Sequence, residues 1–260
     1  MRRMSEAEET IVTAHAAGVT TVRINRPARR NALDTASFTA LGDAFAAAEA
    51  DPDCRVLRLE GAGGNFCAGR DLDAGGAGDL HAVLAWDEAW TRIYRLLRRS
   101  AKPSVAVVEG YAVAGGFTLA MACDFVLSET GARYGALEMR NGFPAAVNTP
   151  VLSKLVGPRL ALEFLLFGDL IEAPRLYDVG LINRLAEGPA ALATLADDFC
   201  ARLAGLDGDA VTMTKELHRA TLSMPLDEAL TMGKHANALI KASGRLDEAA
   251  ARHARRDRRG

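Results

Sequence analysis

Two glycine-rich segments, each directly after a short apolar run, constrain this chain more than any other feature. The first reads Leu57-Arg58-Leu59-Glu60-Gly61-Ala62-Gly63-Gly64-Asn65-Phe66-Cys67-Ala68-Gly69-Arg70-Asp71-Leu72. The second reads Val105-Ala106-Val107-Val108-Glu109-Gly110-Tyr111-Ala112-Val113-Ala114-Gly115-Gly116-Phe117-Thr118-Leu119-Ala120. The apolar runs read as strands and the glycines as loops at their ends. Without a Cβ, a glycine loop lets a ligand reach the backbone and lets N–H groups point at it. Two such loops at neighbouring strand ends aim two N–H groups at one oxygen, which stabilises negative charge there.

A chain of 260 residues is one large domain, or a domain with an appendage. With 49% apolar and 25% charged residues it reads as a soluble globular protein. A net charge of −2 gives it no electrostatic reason to seek nucleic acid or a membrane. Arg2 and Arg3 precede no apolar stretch, so no secretory signal is expected, and no run approaches membrane-spanning length. The expected compartment is the cytoplasm. The segment from Ala251 to Gly260 is locally basic: a solvated end, or a patch for phosphates or another subunit. Cys54, Cys67, Cys123 and Cys200 have no metal or redox spacing, so free thiols and no metal are expected. Cys67 stands in a glycine loop, which raises the question of a nucleophile, but no histidine lies near it in sequence.

Residues 11–15 and 19–24 are β-rich and separated by Ala16-Ala17-Gly18, which predicts a hairpin. Asp34 or Thr35 caps a helix running to about Ala50, with Phe38, Leu41, Phe45 and Ala48 at helical spacing. Further strands are expected at 56–59, 104–108, 125–128, 133–134 and 181–185. Helices are expected at 80–99 and 117–122, and through most of the chain beyond Asn148. Gly75-Gly76-Ala77-Gly78 reads as a flexible stretch. Alternating strands and helices indicate an α/β core. The helical final third, broken at Gly205-Leu206-Asp207-Gly208-Asp209, indicates a helical lobe that packs or oligomerises.

In order and spacing, these segments resemble the crotonase superfamily, the enoyl-CoA hydratase/isomerase family, over nearly the whole chain. The resemblance is carried by Asn25-Arg26-Pro27 with Asn31-Ala32-Leu33-Asp34, and by Phe66-Cys67-Ala68-Gly69-Arg70-Asp71-Leu72. It continues through Lys102-Pro103 and Gly110-Tyr111-Ala112, then Leu119-Ala120-Met121-Ala122-Cys123-Asp124. It ends with Tyr134-Gly135-Ala136-Leu137-Glu138 and Gly180-Leu181-Ile182-Asn183. It implies a spiral of repeated ββα units over residues 1–195. A helical C-terminal region over 196–260 would build homotrimers or dimers of trimers.

The resemblance also implies an acyl-CoA thioester held by the backbone N–H groups of Arg70 and Gly115, with CoA as part of the substrate and no other cofactor. CoA would run near Ala68, Arg70, Asp71 and Leu72, with Arg29, Arg30 and Ala32 close to its phosphates. The Arg70 side chain would then make a surface salt bridge or meet a CoA phosphate. Hydratases of the family use two glutamates around one water. The second matches Glu138, while the first is Thr118 here, whose hydroxyl orients water but is no base near neutral pH. One glutamate suffices to move a double bond, as in enoyl-CoA isomerases. Hydration, a feruloyl-CoA-type hydratase-lyase and a non-catalytic CoA-ester- or RNA-binding member stay open. His81, Asp87 and Glu88 are candidates to replace the missing acid, or simply an exposed helix face. Trp86, Trp90 and Tyr94 read as packing, and Asp124 as structural. Phe143-Pro144-Ala145-Ala146-Val147-Asn148-Thr149 stands where many hydratases carry a glycine-rich run.

Overall fold

The computed structural model describes residues 9–71 and 80–244. Residues 1–206 form one compact unit and residues 207–260 a second. That division falls within the expected break at Gly205–Asp209, whereas residues 195 and 196 lie inside a helix, Gly188–Ala204. Leu72, the Gly75–Gly78 stretch and the basic 251–260 segment lie outside the described residues.

The first unit coils between two sheets. Strands β1 (Ile11–Ala16) and β2 (Val19–Ile24) form the expected hairpin, in register from Ile11↔Ile24 to Ala16↔Val19. From β2 onward the large sheet is parallel. β3 (Val56–Gly61) pairs with β2 and then with β4 (Ser104–Val108). After β4 the chain turns at once into β5 (Tyr111–Val113) of a small sheet. It repeats the step with β6 (Phe125–Glu129), which pairs with β4, and β7 (Arg133–Gly135), which pairs with β5. Two isolated bridges, Cys67↔Ala112 and Leu33↔Arg70, extend the small sheet to the earlier turns. Each turn thus places a long strand in one sheet and a short segment in the other, followed by a helix. This is the expected α/β spiral of ββα units. The edges are β8 (Ile171–Glu172), antiparallel to β7, and β9 (Arg184–Ala186), parallel to β6.

Local chemistry sets the helices. Asp34 accepts the Ser37 N–H at 2.8 Å and caps α1 (Thr35–Ala50), which buries Phe38, Leu41, Phe45 and Ala48. Helix α2 (Leu80–Arg99) buries Trp90, Ile93 and Leu97 at helical spacing. It meets α1 where Phe38 packs edge-on against Trp86 and Trp90, with centroids 6.0 and 5.4 Å apart. All of β4 is buried because it is covered on both faces. Ala106 and Val108 face the main core, while Val105 and Val107 meet Leu192, Ala196 and Cys200 of the Gly188–Ala204 helix.

Helix α3 (Gly115–Ala122) is buried from Gly116 to Ala122. Its Phe117 packs edge-on against Tyr134, whose hydroxyl donates to Ser128 at 2.8 Å. Helices α4 (Thr149–Leu155), α5 (Pro158–Phe167) and α6 (Ala173–Asp178) follow, and Gly188–Ala204 is α7. The strand expected at 181–185 is shorter and later. The N–H groups of Leu181 and Ile182 are consumed by the Leu176 carbonyl in the turn after α6, so bonding to β6 starts at Asn183, whose N–H donates to the Val126 carbonyl, and β9 follows. In the second unit, Asp207 caps α8 (Gly208–Thr221) by accepting the Ala210 N–H, and α9 (Leu226–Ala242) follows. No described helix is long and apolar enough to cross a membrane.

Candidate active site

The two glycine loops lie against each other. Gly116 opens α3 so close to the first loop that a Cβ there would stand 2.0 Å from the Cys67 carbonyl oxygen. Gly69 has φ +84°, and a Cβ on it would stand 2.7 Å from the Gly115 nitrogen. Only glycine permits both approaches. Arg70 follows Gly69 directly, so its N–H and that of Gly115 lie on adjoining backbones. Among the described residues neither N–H donates to a protein acceptor. Gly115 stands in the first turn of α3, where N–H groups have no intrahelical partner.

Buried polar groups hold the first loop in place. Asn31 accepts the Arg26 N–H at 2.9 Å and donates to the carbonyls of Ala62 and Asn65 at 2.8 and 2.6 Å. Arg26 pairs with Asp34 at 2.9 Å and Asp71 at 3.1 Å and also donates to the Ala32 carbonyl. Asp71 is buried, and its carboxylate tethers the loop end. The Ala68 N–H donates to the Arg30 carbonyl at 3.0 Å, joining the loop to the Pro27–Arg29 turn. Ala32 and Ala68 are partly exposed, and Arg29 and Arg30 are exposed. The Arg70 guanidinium lies 3.1 Å from the Trp86 ring centroid and 3.5 Å from Asp87, so its side chain braces the loop against α2.

On the other side of the second loop lie three buried polar side chains. Glu138 projects from the short turn Leu137–Asn141 and is 6% exposed. Asn148 donates from Nδ2 to Glu138 Oε1 at 2.8 Å and to the Ala114 carbonyl at 3.1 Å. Thr118 donates its hydroxyl proton to Asn148 Oδ1 at 2.7 Å. Glu138 Oε2 is buried, and among the described residues it has no hydrogen-bond partner. Burial raises the Glu138 pKa above the ordinary carboxyl value, against hydrogen bonds from its own N–H and Asn148 that lower it. A carboxyl is a group able to take a proton from one atom and return it to another.

The remaining candidates are engaged, exposed or structural. Thr118 faces Asn148, so its hydroxyl proton is already engaged. Asp87 faces Arg70, Glu88 pairs with Arg95 at 2.7 Å, and both are exposed, as is His81. Trp90 packs as expected, but its indole also lies near Gly115: a Cβ there would be 3.4 Å from it. Cys67 is fully buried and its thiol is pushed up to about 12, which leaves it protonated and no nucleophile at neutral pH. Asp124 holds the start of β4, accepting the Ser104 N–H at 2.8 Å. Among the described residues no cluster of three or more metal-ligating side chains occurs.

Asn148 escapes the sequence reading because Asn-Thr-Pro looks like an ordinary helix start. Here the residue has helical backbone angles and makes no cap bond. Its position carried a signal all the same: it stands three and four residues before buried Val151 and Leu152, on the inward face of α4.

Comparison with known proteins matches this architecture. Residues 14–249 fit the family model described as enoyl-CoA hydratase/isomerase. The chain is 32% identical over 231 residues to the (E)-benzylidenesuccinyl-CoA hydratase of Thauera aromatica, covering 84% of each. It is 30% identical over 241 residues to the crotonyl-CoA hydratase of Syntrophomonas wolfei, covering 91% of this chain and 92% of that one. The crystal structure of an enoyl-CoA hydratase from Bacillus anthracis superposes with a TM-score of 0.87 at 26% identity, covering 94% of this chain and 95% of that one. With sequence and spiral in agreement over nearly its full length, this chain belongs to the enoyl-CoA hydratase/isomerase family.

Proposed function

We propose that this protein is an acyl-CoA-processing enzyme that moves a proton beside the thioester, with Glu138 as its acid/base. The backbone N–H groups of Arg70 and Gly115 receive the thioester oxygen. The observation that carries this reading is Glu138 Oε2, a buried oxygen without a partner in a side chain tied through one amide to the peptide preceding Gly115. As the carboxylate takes a proton from C2, the C–H electron pair moves onto the thioester oxygen. Two N–H donors stabilise that charge, and one lost donor costs about 2.7–4 kcal/mol in comparable sites.

A 3-enoyl thioester completes the reaction by receiving the proton at C4. The C3=C4 bond is lost, the C2=C3 bond forms and the mass is unchanged. A 2-enoyl thioester instead gains hydroxyl at C3 and a proton at C2, with the one carboxyl taking the proton from water and delivering it. Single-acid chemistry of either kind is favoured because Thr118 spends its proton on Asn148 while Asp87 and Glu88 face arginines. The relatives' CoA-ester substrates support the same substrate class.

CoA lies along Ala68 and Arg70, with Arg29, Arg30 and Ala32 near its phosphates. Asp71 contributes through its backbone, because its carboxylate is engaged by Arg26. The assembly is a homotrimer or dimer of trimers, to which the exposed Leu162, Leu166 and Phe167 on α5 offer apolar surface. The test is a panel of 2-enoyl- and 3-enoyl-CoA esters followed by mass spectrometry. Gain of water identifies hydration, and unchanged mass with a shifted absorbance identifies isomerisation. Inertness towards the entire panel, with no CoA-ester binding, overturns the reading.

A further inference from the structure

We infer that Asn148 is the positioning residue of this site: one buried amide selects the working oxygen of Glu138 and holds the peptide that carries the Gly115 N–H. This deepens the reading of Glu138 as acid/base and rests on it.

The amide's orientation follows from its neighbours. The Ala114 carbonyl only accepts, so Nδ2 faces it at 3.1 Å. The second hydrogen of Nδ2 goes to Glu138 Oε1 at 2.8 Å. Oδ1 then needs a donor, and the Thr118 hydroxyl supplies one at 2.7 Å. Turning the amide over would set Oδ1 against the Ala114 carbonyl and lose these bonds. Thr118 is therefore the lock on the amide, a different task from holding water. With Oε1 anchored, the orphaned Oε2 carries the mobile proton.

The same amide acts on the other half of the site. The Ala114 carbonyl accepts from the N–H groups of Phe117 and Thr118 at 3.1 and 3.4 Å as well as from Asn148. In a trans peptide the carbonyl and the next N–H point in opposite directions. Fixing the Ala114 oxygen therefore fixes the direction of the Gly115 N–H. The peptide needs holding, because Ala114 has φ 49° and ψ −124°, a region that L side chains rarely adopt.

Charge does not compete for this role. Arg140 on the Glu138 turn pairs with Asp169 at the surface, and Lys154 of α4 with Arg159 and Glu163 of α5 are exposed. Burial and hydrogen bonds set the Glu138 proton affinity. Removing Nδ2 takes a donor from the charged form, so the pKa rises further. The base form is required, so activity lost on acidification is then lost at a higher pH.

The experiment compares Asn148→Leu, Thr118→Val and Glu138→Gln with wild type. The Glu138 carboxyl band is titrated by infrared difference spectroscopy, with Glu138→Gln identifying the band, alongside pH–rate profiles on any active ester of the panel. In Asn148→Leu the band's midpoint and the acidic limb both move up, and kcat falls about 10- to 100-fold while KM changes little. Thr118→Val shifts both in the same direction by less, and being isosteric it decides the matter if Asn148→Leu does not fold. Unmoved midpoints in the folded variants overturn the assignment of Asn148. Full turnover by Glu138→Gln instead overturns the acid/base reading, and the infrared midpoints still report on Asn148.

Discussion

Gly69→Ala tests whether the contact between the glycine loops builds the site. The added methyl would stand 2.7 Å from the Gly115 nitrogen, 3.1 Å from the Val113 oxygen and 3.2 Å from the Ala114 Cβ. Gly180→Ala is its control: Gly180 has φ +80° against +84° at Gly69, but nothing lies within 4 Å of its added Cβ. An L side chain at positive φ costs about 1–2 kcal/mol, which both variants share. Overpacking adds about 1–3 kcal/mol at Gly69 alone. The expected totals are about 1–2 kcal/mol for Gly180→Ala and about 2–5 kcal/mol for Gly69→Ala. At roughly 2–4 °C per kcal/mol for a chain of this size, thermal melts resolve the difference. The displaced atoms include the Gly115 N–H proposed as an oxyanion donor, so Gly69→Ala is expected to lose about 10²–10³ in kcat while Gly180→Ala keeps its activity. Equal melting temperatures with full turnover in both variants would refute the argument.

Asn31→Ala leaves the Ala62 and Asn65 carbonyls and the Arg26 N–H without their shared partner. At about 1–3 kcal/mol per unsatisfied group, the loss exceeds about 3 kcal/mol in urea unfolding, and a loss under 1 kcal/mol contradicts it. Ala114→Gly relieves a strained backbone. It gains about 1 kcal/mol net of the glycine's unfolded-state entropy, so a lower melting temperature contradicts the strain. Cys67 is buried and protonated, so alkylation by iodoacetamide at neutral pH leaves activity intact, whereas protection by a CoA ester against inactivation would restore it as a site residue.

The elements legible in the sequence are those whose local chemistry decides them. Asp34 with its inward Phe38, Leu41 and Phe45 fixes α1, and Trp86, Trp90 and Tyr94 of α2 pack against the core as their helical spacing indicates. The short strands β5 and β8 were not legible. Three and two residues carry no periodic signal, and their pairing comes from the spiral that stacks them. Leu181 and Ile182 read as strand because they are apolar, but the turn after α6 takes their N–H groups first. The site divides in the same way. The glycine loops and the Glu138 motif announce themselves in sequence. The Thr118–Asn148 bond joins residues thirty apart, and nothing in their types or spacing pairs them.

Deuterium exchange at C2 of a saturated acyl-CoA in heavy water tests the central claim most directly, because it requires the enolate and no particular product. The account predicts that wild type incorporates deuterium at C2, read by mass spectrometry, and that Glu138→Gln binds the ester without exchanging it. Undiminished exchange in Glu138→Gln, or none in wild type with the ester bound, would contradict it.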